Sequence, residues 1–499
     1  MPKLTKSKGD ERGRMRGAVA APVDGPVRQE EADQLFACFG AFDVVYLAVS
    51  GGADSLALMH LAADWREAEA LVRDGCAAAA APHESGGPPE LRVLTVDHGL
   101  REEAREEAAF VMAQAGSRGL GSEILRVDAP PPRTGIQEWA RDKRYDVLCA
   151  RVARDGRRAG LVTAHHEGDL AETMLMRLAR GSGLDGLAGI AEVSERAGVP
   201  LLRPLLGVEK VRLVATLVAR NVRWIEDPSN ASATFERVRL RQLGGQRAAL
   251  GLEDRALATT ARRLRRAREA LEAVTDLMAD VSLGRARLET AGVFEWPWQP
   301  GDLPDEIAIR LLMRTLIGIG GTRGRLRLAR VERLYDEIRS PRFSGATLGH
   351  CVIRPPLHPP AESAAGPAAV LEIYREPDRE RLPVIVSDLE APLVWDNRFL
   401  VERTAAARGT ATVRAFARDD LLEIIGADQA AAVPADDALR ATPVIEDTAG
   451  ALAIPALGLH RARADDCRPA GSPYRARFLS ERLRGDTLAR GAMEPSGRS

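Results

Sequence analysis

No two of the five cysteines, Cys38, Cys76, Cys149, Cys351 and Cys467, stand as a CxxC pair. Their scatter speaks against a disulfide framework, a zinc site or an iron–sulfur cluster, and it suits a reducing cytoplasm. Equally absent is any uninterrupted apolar run of the roughly 18 residues that cross a bilayer, so no membrane partner is expected. Residues 1–33 carry basic groups, but acids are interspersed and no apolar block follows. Neither a secretory signal nor a transit peptide fits, and this stretch is read as a disordered tail. Net charge is missing too: 70 Lys plus Arg stand against 71 Asp plus Glu, leaving −1. Any nucleic-acid partner must then be held by a local basic surface. Gly-x-x-x-x-Gly-Lys-Ser/Thr does not occur, so a P-loop NTPase is not indicated.

At 499 residues the chain exceeds one ordinary core, and about three domains are expected. From Asp43 to about Asp227, short apolar runs alternate with amphipathic stretches. Val44–Val49, Arg92–Val96, Glu123–Val127 and Leu161–Ala164 have strand length and are mostly separated by helical patterns. That pattern predicts an α/β fold with a doubly wound, mainly parallel sheet over residues 34–232. Gly75–Glu90, rich in Ala, Gly and Pro, reads as a surface loop. The periodicity breaks at Asp227-Pro-Ser-Asn, and long helical patterns over Phe235–Arg339 predict a helical domain, 233–354. A Pro- and Ala-rich linker, Pro355–Ala368, leads to short β-like runs and a small mixed β-containing C-terminal domain, 369–483.

The chemistry concentrates in Ser50-Gly-Gly-Ala-Asp-Ser55, where the first candidate strand gives way to a helical stretch, Leu56–Leu71. Gly51 and Gly52 can take positive φ, and with no Cβ in the way backbone N–H groups converge on an anion beside a helix N-terminus. Ser50 and Ser55 add hydroxyl donors, Ala53 keeps the loop small, and Asp54 suits Mg2+ held against phosphates. A plain βα turn with Asp54 or Ser55 as helix cap is the alternative. The density of two serines, two glycines and an acid in six residues favours phosphate binding. Gly181-Ser-Gly183-Leu-Asp-Gly186 spells GxGxxG, but no strand precedes it; these glycines terminate the helical run Glu172–Arg180.

The loop resembles the PP-loop of N-type ATP pyrophosphatases, which cleave ATP between its α and β phosphates. Val96-Asp-His-Gly-Leu-Arg101, Ala140-Arg-Asp-Lys-Arg-Tyr145, Thr163-Ala-His-His-Glu-Gly-Asp-Leu-Ala-Glu-Thr173 and Arg180-Gly-Ser-Gly-Leu-Asp-Gly-Leu187 are similar, in order, to segments of the tRNA(Ile)-lysidine synthetase family. The similarity covers about Asp43–Arg241 and continues weakly at Phe343–Gly349. It implies a ligase that uses ATP and Mg2+ to join free lysine to the wobble cytidine of an isoleucine tRNA. This chain departs from the family pattern in having Val238 after Arg237, and Leu170 where a glutamine is common.

His165, His166 and Asp169 follow a predicted strand, at the carboxyl edge where parallel sheets bind ligands. Spacing alone leaves a second reading open, a helix start with Asp169 as N-cap and Glu172 completing a capping box. With the resemblance, Asp54 and Asp169 are the candidate metal ligands, and Asp54, His165 and Asp169 the candidate catalytic residues. Arg141, Arg144 and Tyr145 share one helix face, which is either a solvated face or a phosphate contact; the resemblance favours the second. Asp97 and His98 also end a strand, where a turn explains them equally well.

Between Glu236 and Arg268 ten arginines stand against three acids, and a second cluster lies at Arg323, Arg325, Arg327, Arg330 and Arg333. Few aromatics accompany them, so contact with RNA phosphates is expected before base stacking. Arg141, Arg144, Arg237 and Arg241 are the candidate substrate-binding residues. Other readings are a tRNA thiolase, which the missing CxxC opposes, an amide-forming ligase, and a non-catalytic RNA-binding protein. Oligomeric state is not legible.

Overall fold

The computed structural model describes residues 25–479 except 76–86, 98–102, 131, 133, 227–235, 284–291, 297–302, 323–325, 356–370, 378–380, 405–408, 434–436, 449, 462–471 and 473. His98, the Asp227-Pro-Ser-Asn turn, Arg323, Arg325 and most of the Pro/Ala-rich linker lie outside the described residues. The chain divides into two compact units that meet in sequence at Arg268 and Glu269.

In the first unit, β1 (Val44–Ala48) joins β2 (Glu90–Asp97), β3 (Gly121–Arg126), β4 (Ala159–Val162), β5 (Val193–Arg196) and β6 (Val199–Leu202) in one sheet. Its strand order is β3-β2-β1-β4-β6-β5. All pairings are parallel except the hairpin β5–β6. The mainly parallel sheet is thus as expected, and the first four strands lie within two residues of their predicted bounds. The edge hairpin was not predicted. Its strands are four residues each, the polar β5 and the proline-containing β6, and runs of that length carry little pattern.

Strand β1 is central because both its faces are covered. Val45 and Leu47 join a core containing Phe36, Leu56, Met59 and Leu217, while Val44 and Tyr46 face Tyr145, Leu148 and Val152. The helices that cover the two faces are α1 (Gln29–Phe36), α2 (Ala53–Gly75), α3 (Glu103–Ser117, through Val111 and Ala115), α4 (Ile136–Ala153) and α7 (Lys210–Ala219). Helix α5 (Glu167–Leu178) turns its apolar side, Leu170, Ala171 and Met174, to Leu257, Ala258 and Ala261. Short α6 (Leu184–Leu187) follows, and α8 (Glu236–Gln242) and α9 (Gly244–Ala249) precede the long α10 (Asp254–Leu283).

Two boundaries differ from expectation. Helix α1 begins at Gln29, and Val27 and Ala32 are buried, so residues 25–33 do not form part of the tail read over 1–33. Val27 N–H donates to Thr216 Oγ1 at 3.0 Å, which ties this segment to α7. Nor does the C-terminal part separate at 354/369 into a helical and a β domain. Strands β7 (Phe294–Trp296), β8 (Ala346–Leu348) and β9 (Cys351–Arg354) form one antiparallel sheet with β10 (Leu371–Arg375), in the order β7-β10-β9-β8. The helices Asp305–Gly320 and Leu328–Ile338 bury Leu312, Leu316, Ile319, Val331 and Leu334 in the same core as Phe294, Ile353 and Ile373. A three-residue strand inside a helical stretch has too short a period to be read locally. Two further antiparallel sheets, one of five strands and one of three over Ile385–Phe478, complete the β-containing part.

Candidate functional site

The connections β1→β2→β3 run towards one edge of the sheet, whereas β4 returns to the other side of β1. This reversal opens a crevice at the carboxyl ends of β1 and β4, the place where open α/β sheets bind ligands. The Ser50–Ser55 loop leaves β1 there, and Thr163–Asp169 leaves β4 beside it.

The loop is braced from within. Ser50 N–H donates to Ser55 Oγ at 3.2 Å, and Ser55 Oγ donates to the Gly52 carbonyl at 3.0 Å. Gly51 has φ +85, and a Cβ there would lie 2.7 Å from Ile225 Cδ1. Ile225 N–H donates to the Gly51 carbonyl at 2.9 Å, so the chain after α7 closes over the loop. The left-handed φ is the demand that favours glycine at 51, and any Cβ would also have to displace the tip of Ile225. Gly52 differs from expectation in having no positive φ; the nearest atom to a Cβ there is 3.8 Å away. Helix α2 starts at Ala53, with Asp54 in its first turn.

Asp54 is held by a residue the sequence did not mark. Lys210 Nζ donates to Asp54 Oδ2 at 3.0 Å across a separation of 156 residues. Asp54 Oδ1 is buried and has no hydrogen-bond partner among the described residues. Lys210 opens α7, and no local motif announces it; only the packing of α7 against α2 brings it here.

Behind β4, His166 and not Asp169 is the N-cap of α5. His166 Nδ1 accepts the Gly168 N–H at 3.0 Å, and Asp169 Oδ2 accepts the His166 N–H at 3.0 Å. The capping box therefore lies three residues earlier than the sequence alternative placed it, and Glu172 is released from capping. Glu172 is 3% exposed and accepts from Arg241 of α8 through both oxygens. Arg241 Nη2 also lies 3.8 Å from Asp169 Oδ1.

The two adjacent histidines carry opposite ring protons. Arg141 Nη2 lies 3.5 Å from His165 Nε2, and a guanidinium only donates, so Nε2 is the acceptor. The proton is then on Nδ1, donated to Thr163 Oγ1 at 2.8 Å. Burial, aided by Arg203 and Arg141 against the opposing pull of Asp169, pushes the His165 pKa down to about 4. Burial acts to raise the Asp169 carboxyl, but the His166 N–H that it accepts and the nearby Arg237 guanidinium pull the other way, and the carboxyl lies below its ordinary range.

Of the candidate arginines, Arg141 stacks over Tyr145, its guanidinium 5.4 Å from the ring centroid, while reaching His165. Arg144 is exposed on the same helix. Arg237 stands near enough to His165 and Asp169 to act on both electrostatically. The basic excess over Glu236–Arg268 is partly consumed internally. Arg241 pairs with Glu172, Arg247 with Asp254, and buried Arg265 with Glu192 and the Ile190 carbonyl. Arg255, Arg263 and Arg266 of α10 are exposed, as are Arg327, Arg330 and Arg333 in the second unit.

Among the described residues no three His, Cys, Asp or Glu side chains gather as a closed metal site. Two carboxylates from separate strand ends, one with an orphaned oxygen, form instead an open oxygen donor set. Such a set suits Mg2+ completed by nucleotide phosphates.

A doubly wound sheet carrying this glycine–serine loop at its switch point defines a PP-loop nucleotide-binding protein, and the family model described as a PP-loop domain matches residues 27–246. A tRNA(Ile)-lysidine synthase of Bradyrhizobium sp. is 43% identical over 63% of this chain and 84% of its own length. One from Rhodopseudomonas palustris is 44% identical over 62% of this chain and 85% of its own. The chain belongs to the tRNA(Ile)-lysidine synthase family. A solved U34-tRNA thiolase from Methanococcus maripaludis overlaps 47% of this chain and 77% of its own at 13% identity and a TM-score of 0.38, too little to carry an argument.

Proposed function

We propose that the protein joins free lysine to C2 of the wobble cytidine of an isoleucine tRNA, with ATP cleaved to AMP and pyrophosphate. The observation that carries this reading is the meeting of two strand-end segments in one crevice: the Ser50–Ser55 loop, and Thr163–Asp169 with Arg141 against it. The cytidine C2 oxygen attacks the α-phosphorus, pyrophosphate departs, and the oxygen becomes part of a leaving AMP. The lysine ε-amine then attacks C2, loses a proton and expels AMP.

The chain's own groups fit these demands. The amides and hydroxyls of Ser50–Ser55 bind phosphate at the start of α2, where the helix dipole favours negative charge. Asp54 and Asp169 would hold Mg2+, which supplies stabilisation of charge developing on the departing pyrophosphate. Arg141 aims its guanidinium at the same crevice, and Arg237 lies close behind. His165, neutral with an outward Nε2 lone pair, accepts a hydrogen bond more readily than it takes up a proton. The exposed arginines of α8 and α10 are the surface for tRNA phosphates.

Release of AMP and pyrophosphate from ATP, measured with and without isoleucine tRNA and lysine, tests this function. Turnover should require both. Turnover indifferent to lysine and tRNA would eliminate it, and the same result would point to another PP-loop activity.

A further inference from the structure

Between the two carboxylates of the crevice stands His166, 4% exposed. Its Nδ1 accepts the Gly168 N–H, which requires that nitrogen to be unprotonated, so the neutral ring carries its proton on Nε2. Nε2 lies 3.6 Å from Asp54 Oδ2 and 3.7 Å from Asp169 Oδ2. These near-equal distances place it at a shared position and not in a bond to either. A Cβ on Gly168 would come within 2.9 Å of His166 Cε1, so the edge of the imidazole is seated on a backbone without a side chain. Ser, Asp or Asn caps a helix at least as well, but none is long enough to cap at one end and reach two carboxylates with the other.

We propose that His166 is a positioning residue whose Nε2–H, aimed by the cap at Nδ1, sets the separation of Asp54 and Asp169. It thereby keeps the first turn of α2 and the first turn of α5 in register before metal and nucleotide arrive. The inference rests on the nucleotide-binding reading given above.

The test uses the full chain in two arms. In the unaltered protein labelled with [15N]histidine, long-range 1H–15N correlation spectra without nucleotide should show the Nε2–H tautomer for His166; an Nδ1–H tautomer would overturn the proposal. In the second arm, binding of Mn2+–ATP is followed by electron paramagnetic resonance. His166→Asn keeps a capping oxygen and should melt near the wild type, yet its Mn2+–ATP affinity should fall about tenfold, as for a lost ligand-orienting group. His166→Ala should lose both affinity and stability. An asparagine variant that binds Mn2+–ATP like the wild type would reduce His166 to a cap and defeat the proposal. If the alanine variant fails to fold, the asparagine variant still decides. Wild-type protein that did not bind Mn2+–ATP at all would instead defeat the functional reading.

Discussion

Lys210 Nζ rests 3.0 Å from Asp54 Oδ2, so the cation opening α7 neutralises the carboxylate in the first turn of α2. If the Ser50–Ser55 loop binds the nucleotide phosphates as proposed, the same ammonium stands on their side of Asp54. Lys210→Met should weaken ATP about tenfold while changing AMP affinity by less than about twofold, because a lost charge-assisted contact matters only where the extra phosphates are. Calorimetric titration with both nucleotides checks this, and equal loss for the two would refute it. Asp54→Asn, which removes a proposed metal ligand, should lower AMP release by about a hundredfold or more at unchanged melting temperature.

Gly51 and Gly52 should respond differently to alanine. Gly51→Ala meets both a φ of +85 and a Cβ contact of 2.7 Å with Ile225, and should cost about 2 kcal/mol or more together with ATP binding. Gly52→Ala meets neither obstacle and should cost less than about 1 kcal/mol. Chemical denaturation of the two variants side by side distinguishes them; equal destabilisation would contradict the loop geometry.

His165 makes stability depend on pH. Its folded pKa of about 4 lies below the ordinary histidine value, so between about pH 6.5 and 4 the unfolded chain binds the extra proton. Stability contributed by this site is therefore intact above about pH 6.5 and declines as the pH falls towards 4, by about 3 kcal/mol at most. His165→Gln should flatten that decline in denaturation curves measured across the range. A wild-type slope unchanged by the substitution would exclude His165 as its source.

Arg241 and Glu172 offer a double-mutant cycle. Glu172 is 3% exposed, so Arg241→Ala leaves a buried carboxylate without its cation and should destabilise by about 3 kcal/mol. Combining it with Glu172→Gln should recover at least about half of that loss. Additive effects in denaturant melts would show that the pair is uncoupled.

The four core strands were legible because a parallel sheet covered on both faces writes itself as apolar runs, as Val44–Ala48 does. The phosphate loop was legible for a related reason: Gly51 has a φ that favours glycine, and its neighbours supply donors within six residues. Local spacing left His165, Asp169 and Arg141 open between a structural and a functional reading; the resemblance singled them out, and the fold brings Arg141 against His165. Spacing failed where short elements depend on partners, as in β5, β6 and β7, and it placed the α5 cap at Asp169 because histidine is an uncommon N-cap. The arginine count over Glu236–Arg268 overstated the free basic surface, since a count cannot tell exposed Arg263 from buried Arg265.

By itself, then, the sequence determined the sheet, the loop that follows its first strand, and through its ordered motifs the family. Those features are written by short apolar runs, by the helical period of 3.6 residues and by glycine's unique backbone range, all of them local. Only the tertiary structure decided that Lys210 meets Asp54, that Arg241 is spent on Glu172, and that His166 stands between two carboxylates. Each of those relationships joins residues from different elements, and it comes into being when the strand order reverses between β1 and β4 and brings their carboxyl ends to one crevice.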